Sequence, residues 1–138
     1  VNPAPLLDTH IWIWWMLGDS RLKESERRFF DDLPPENRPY LCDVSLWEAA
    51  VLVEKERLKL EQPLLDFLEI AASPATVQIL PITPAVVAEM NRLPADFHRD
   101  PADRLLVATA RNRNLPVATR DDLIRKSRLV RLWNPART

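Results

Sequence analysis

The sequence predicts an α/β domain with a mainly parallel central sheet. Three observations carry that expectation. Short apolar runs alternate with longer segments whose apolar residues recur at helical spacing, the pattern of strands joined by helical crossovers. Helix starts are marked outright, because Thr83-Pro84 and Asp100-Pro101 each set a polar cap before a proline at the first helical position. The 138 residues, 46% of them hydrophobic, suit one globular domain. A chain of that size buries roughly two thirds of its unfolded surface.

Leu6 to Asp8 reads as a short buried strand. A helical pattern follows with Trp12, Trp15 and Met16 on one face, and Gly18-Asp19-Ser20 stops it. A charged amphipathic helix comes next, anchored by Leu22, Phe29, Phe30 and Leu33 and ended by Pro34-Pro35. Tyr40-Leu41-Cys42 is the second strand. Ser45-Leu46-Trp47-Glu48 matches a capping box opening a helix through about Arg57. Pro63 begins a helix with Leu64, Leu65, Phe67, Leu68 and Ile70 apolar, and Thr76 to Leu80 is the third strand. The helix from Thr83-Pro84 runs to about Arg92, and the one from Asp100-Pro101 to about Arg113. Pro116 to Thr119 is the fourth strand, Asp122 to Lys126 a helical turn, and Leu129 to Trp133 a last short strand. No repeat, low-complexity tract or interdomain linker interrupts this order.

Composition removes several function classes. One cysteine, Cys42, excludes an internal disulfide and thiolate-rich zinc sites, which fits a reducing cytoplasm. Gly occurs once and Pro thirteen times, which excludes glycine-rich phosphate loops of the dinucleotide or P-loop kind. No apolar run approaches the ~20 residues of a membrane span and no secretory signal opens the chain, so a cytoplasmic protein is expected. The net charge of −1 hides an asymmetry. Residues 1–98 carry 9 Lys+Arg against 16 Asp+Glu, and residues 99–138 carry 10 against 4. The basic end is mostly arginine, whose planar fork suits phosphate or carboxylate.

In a parallel sheet, ligands sit beyond the carboxyl ends of the strands, where the next helices begin. Asp8 falls at the end of the first strand and Glu48 in the first turn after the second. Asp103 falls in the first turn of a late helix, and Asp121 just past the fourth strand. All four carboxylates can face one edge. Some acids here also have a structural use, Glu48 and Asp100 in capping and Asp121 in turn chemistry. Together they repel and raise each other's pKa unless a cation sits among them. Oxygen ligands without a His or Cys cluster select Mg²⁺ or Mn²⁺ over zinc. Without its metal, such a pocket is an acceptor for Arg or Lys, so a small protein partner with a basic segment is expected. The helices around Trp12 and Phe29-Phe30 are the docking surfaces expected for its remaining length. His10 and His98 are read as structural, although each is a possible ligand or base. Trp12, Trp15 and Trp47 are read as core, and Cys42 as an inert core thiol.

Leu6-Leu7-Asp8-Thr9-His10, Ser45-Leu46-Trp47-Glu48, Asp100-Pro101-Ala102-Asp103-Arg104-Leu105-Leu106 and Thr119-Arg120-Asp121 stand in the order found in PIN-domain proteins. Within these, the chain resembles the VapC-type toxins of bacterial toxin–antitoxin pairs, from about Leu6 to Trp133. The resemblance implies a single PIN-like domain over 1–138, an α/β/α sandwich with a mainly parallel sheet. It also implies a Mg²⁺-dependent endoribonuclease, a homodimer and a small antitoxin that blocks the site. Carried over by motif, Asp8 and Asp103 would be the principal metal ligands. Glu48 would complete the acidic cluster and Asp121 would be its fourth member. Thr119 would line the site with its hydroxyl, and Asp100 would support or cap. Similar sequences often have Gly where this chain has Glu56, which singles out the turn before Arg57-Leu58.

The expected chemistry is hydrolysis of an RNA phosphodiester by a metal-activated water that Glu48 orients or deprotonates. Arg99, Arg104 and Arg120 flank the acids as candidate phosphate contacts, or as salt-bridge partners of the neighbouring aspartates. Two other classes stay open at this point. One is a phosphatase-like enzyme with Asp8 as nucleophile, although such enzymes usually carry a second Asp two residues on, where His10 stands. The other is a non-catalytic module whose acidic cleft receives a basic peptide.

Overall fold

The computed structural model describes residues 4–135. β1 (Leu6–Leu7) lies between β2 (Tyr40–Cys42) and β4 (Val117–Ala118), and β3 (Gln78–Leu80) pairs with the far side of β2. All these pairings are parallel, giving the order β3-β2-β1-β4. Parallel neighbours need crossovers, which the helices supply. They are α1 (Thr9–Leu17), α2 (Glu24–Asp32), α3 (Val44–Glu54), α4 (Leu64–Ala71), α5 (Pro84–Arg92), α6 (Pro101–Arg113) and α7 (Asp122–Ser127).

The two-residue period of the strands sorts the core into two layers. Leu6, Cys42 and Val117 pack with Val86, Leu106, Val107 and Ile124 of α5, α6 and α7. Leu7, Leu41 and Ala118 pack with Trp12, Phe30 and Phe67 of α1, α2 and α4. The result is the expected α/β/α sandwich. Trp12 can be fully buried because its indole N–H donates to the Ala71 carbonyl at 2.8 Å. Cys42 is buried as expected, and burial pushes its thiol up to about 12, so it stays protonated.

Strand order also locates the cleft. From β1 the chain steps to β2 and β3 on one side and returns to β4 on the other. The carboxyl ends of β1 and β4 therefore flank a topological switch point, where loops leave in opposite directions and a crevice opens. The Asp8 N–H donates to the Ala118 carbonyl at 2.9 Å, which sets the start of α1 against the end of β4.

Several local expectations differ. β1 stops at Leu7 because Asp8 turns to cap α1, its carboxylate accepting the Thr9 N–H at 2.8 Å. The capping box at Ser45 and Glu48 does not form. α3 already starts at Val44, so both side chains lie inside the helix and turn to Thr9 instead. Trp47 is 63% exposed rather than core, because α3 buries Ser45 and Ala49 on its inner face. The strand expected over Leu129–Trp133 shrinks to one parallel bridge between Leu132 and Val117. α3 ends at Glu54, short of Arg57, in a tight two-bond stop. The Glu56 N–H reaches Val53 at 3.0 Å and the Arg57 N–H reaches Leu52 at 2.9 Å. That stop puts Glu56 at φ 58°, the conformation that favours glycine.

Candidate active site

The cleft at the switch point, about 350 Å³, is lined by Asp8, His10, Trp14, Glu48, His98, Asp100, Asp103, Arg120 and Asp121. Asp8 is its most deeply set acid, 7% exposed. One of its oxygens takes the Thr9 N–H and the other the Thr119 hydroxyl at 2.6 Å. The Thr119 hydroxyl in turn accepts the Asp121 N–H at 3.0 Å. A single buried hydroxyl thus ties the acid after β1 to the acid after β4. Burial drives the Asp8 carboxyl above its ordinary range, against the pull of the Thr119 and Thr9 hydrogen bonds.

Glu48 reaches the cleft from the second turn of α3, where its Oε1 accepts the Thr9 hydroxyl. Thr9 Oγ1 also meets Ser45 Oγ at 2.8 Å. Partial burial raises the Glu48 carboxyl, with Asp8 and Asp100 adding to the effect. Asp103 stands in the first turn of α6. Burial, then Asp8, Asp100, Asp121 and Glu48, push its carboxyl up to about 8. Asp100 is the N-cap of that helix and accepts the Ala102 N–H at 2.9 Å. Asp121 caps α7 through the Ile124 N–H at 2.9 Å, leaving its other oxygen to the cleft.

His98, like His10, lines the cleft although the sequence reads it as structural. Its Nε2 lies 2.6 Å from Asp103 Oδ2 and 3.6 Å from Asp121 Oδ2. The Asp100 N–H points at Nδ1 from 3.4 Å, which assigns the ring hydrogen to Nε2, facing Asp103. The available signal was its place two residues before a helix cap, in a loop that must fold back over the first turn of that helix. The arginines part company. Arg104 is spent on backbone, donating to the carbonyls of Phe97 at 2.9 Å and of Met90 and Pro94 at 3.3 Å. Arg120 pairs with the buried Glu26 of α2 and lines the cleft, and Arg99 is exposed.

Residues 6–128 match the PIN domain. The chain belongs to the PIN-domain family. Over 123 residues this PIN domain is 34% identical to Ribonuclease VapC22 of Mycobacterium tuberculosis, covering 89% of this chain and 91% of that protein. Among solved structures it is similar in fold to DNA-bound VapBC from Salmonella typhimurium. That likeness has a TM-score of 0.73 and 17% identity, and covers 96% of this chain and 98% of that one. It is also similar to a toxin–antitoxin complex from Klebsiella pneumoniae, with a TM-score of 0.65, 18% identity, and 96% and 98% of the two chains covered.

The donor set of the PIN domain suits a hard divalent cation. One ligand atom each from His98, Asp103 and Asp121 lies within 4.8 Å of the others. With the His98 Nε2 hydrogen turned to Asp103, the remaining donors are carboxylate oxygens. Asp103, whose carboxyl is pushed up to about 8 by burial first and by its acidic neighbours second, is the kind of group that a cation would relieve.

Beside this cleft, α1 and α3 leave a groove of about 440 Å³ that sets the apolar Ile13, Trp14, Leu17, Trp47 and Val51 among charged residues such as Asp19, Arg21, Lys55 and Arg57. The groove runs to the acids through His10, Glu48 and Asp100. Trp12 is fully buried, as its reading as core has it, and Phe30 is buried with it, so neither side chain forms part of a docking surface on its helix. Among the described residues no helix is long and apolar enough to cross a membrane.

Proposed function

We propose that this PIN domain is a metal-dependent endoribonuclease and the toxin of a toxin–antitoxin pair. The observation that carries the reading is the meeting of Asp8, Glu48, Asp103 and Asp121 in one cleft. The family membership and the ribonuclease relative support it.

Asp8 and Asp103 would hold Mg²⁺, with Mn²⁺ able to substitute, and Glu48 and Asp121 would complete the acidic set. The cation supplies charge neutralisation at phosphorus and lowers the pKa of water. The chain's own groups do the positioning. Thr119 and the Thr9 N–H fix both Asp8 oxygens, and His98 turns the Asp103 carboxyl. Glu48 has one oxygen tied to Thr9, so its other oxygen is the proton acceptor for the attacking water. Thr9 and Asp100 set the start of their helices and so the aim of the acids they adjoin.

The partner is a small antitoxin whose basic segment enters the acidic cleft, a guanidinium there satisfying several carboxylate oxygens. Its apolar length fits the groove of Trp14, Leu17 and Trp47. Pairing of two toxin copies would cover Ile79, Ile82 and Val87, exposed along the free edge of β3 and the start of α5.

The test is cleavage of total cellular RNA with Mg²⁺ or Mn²⁺, comparing wild type with Asp8→Asn and mapping the cut ends. Cleavage by wild type alone is expected, because the swap keeps shape and removes the charge that the cation needs. Equal cleavage by a folded Asp8→Asn protein would overturn the mechanism.

A further inference from the structure

A second cavity, about 730 Å³, opens on the other side of Arg120. Lys23, Arg28, Arg120 and Arg125 line it, with Phe29 and Trp133 among its apolar residues. We propose that this pocket is a subsite for the single-stranded RNA flanking the cleaved phosphodiester, a proposal that rests on the ribonuclease reading above.

Position is the first argument. Arg120 lines both this pocket and the carboxylate cleft, and Thr119, which lines the pocket, donates to Asp8. A strand with one phosphate among the acids therefore passes Arg120 to reach the pocket. Charge is the second. A polyanion is repelled by four clustered carboxylates, so affinity has to come from cations beside them. Arg104 cannot supply it, being spent on loop carbonyls. The pocket can. Its acids are Glu26 and Asp32, and buried Glu26 is already taken by Arg120 and the Lys23 N–H at 2.9 Å. Arg28 faces Glu24 at 3.4 Å on the surface, while Lys23 and Arg125 reach into solvent. Arg120 is balanced by Glu26, so Lys23 and Arg125, with no ion pair among the described residues, carry the pocket's charge, and Arg125 brings the basic C-terminal third of the chain to this side of the cleft.

Shape is the third argument. Trp133 stacks on Phe30 at 4.9 Å between centroids and meets Phe29 edge-on at 5.1 Å, which makes a rigid aromatic wall. Bases stack on such surfaces whatever their sequence, because every base has a π-face. Cations along a groove with aromatic faces are the chemistry of single-strand recognition.

The probe is a fluorescein-labelled uridine hexanucleotide, titrated by anisotropy into Asp8→Asn protein over a KCl series. Adding Lys23→Glu and Arg125→Glu should raise Kd about tenfold or more and flatten the salt slope by roughly 1 to 2, the signature of lost phosphate contacts. Phe29→Leu, which keeps apolar packing and removes the π-face, should raise Kd about threefold or more with the slope unchanged. Thermal melts check that each variant is folded. An unchanged Kd and slope in the charge-reversed protein, or no hexamer binding by Asp8→Asn itself, would overturn the subsite. The two readings separate in a cleavage assay with total RNA. A charge-reversed enzyme that cuts with wild-type KM removes the subsite and leaves the ribonuclease. A wild type that never cuts removes the ribonuclease whatever the pocket binds.

Discussion

His98 Nε2 stands 2.6 Å from Asp103 Oδ2, so the ring that closes the loop before α6 also holds the acid in its first turn. The loop is itself pinned by Arg104, which donates to the Phe97 and His98 carbonyls. Loop closure and carboxylate orientation are therefore one arrangement.

Removing that ring should loosen Asp103. His98→Ala is expected to weaken Mn²⁺ binding by roughly tenfold, as losses of groups that orient metal ligands commonly do. His98→Gln, whose amide can still donate, should recover part of it. Calorimetric Mn²⁺ titration of the three proteins is the check. Equal affinity in all of them would reduce His98 to a space-filler.

The raised Asp103 carboxyl makes metal-free stability depend on pH. Its folded pKa, about 8, lies above its ordinary 3.8, so between these values the folded chain binds more protons than the unfolded one. Stability from this group is then highest below about pH 4, falls as pH rises through the window, and is fully lost above about pH 8. Asp103→Asn removes the dependence. In EDTA the variant should gain on the order of 1–2 kcal/mol over wild type at pH 8.5, several degrees of melting temperature, and little at pH 4. A gain that is the same at both pH values would contradict the assigned cause.

Glu56 pays a conformational penalty that glycine would not. Glu56→Gly should stabilise the protein by about 1 kcal/mol, because the left-handed conformation costs an L-residue roughly that much. Urea denaturation measures it directly. A loss of stability would mean that the Glu56 side chain makes a compensating contact.

Trp47, 63% exposed beside Leu17 at 45%, is the residue whose loss should separate partner binding from chemistry. Trp47→Ala is expected to weaken capture of the co-expressed antitoxin by tenfold or more, since buried tryptophans dominate such interfaces. RNA cleavage by the free variant should persist. Undiminished capture would move the docking surface elsewhere.

Much of this protein was legible from sequence because the governing physics is local. Alternating periods and Pro and Asp caps at helix starts led to the α/β class and to most element positions. Acids at strand ends were visible for the same reason, since Asp8 follows an apolar run directly and Asp121 stands one residue past the strand expected over Pro116 to Thr119. What tertiary structure decided depends on which strands become neighbours. The β3-β2-β1-β4 order brings Thr119 to Asp8 across 111 residues and joins α3 to α1 through Thr9 and Glu48. No periodicity encodes those meetings. Trp47 carries the same helical spacing as a core residue, yet α3 turns it outward because the small side chains of Ser45 and Ala49 fit the tight inner face. Arg104 looked like a phosphate ligand from its place beside Asp103, but the first turn of α6 aims it at the carbonyls of Phe97 and Met90. Side-chain identity set what each residue could do, and the packing of distant strands set which partner it met.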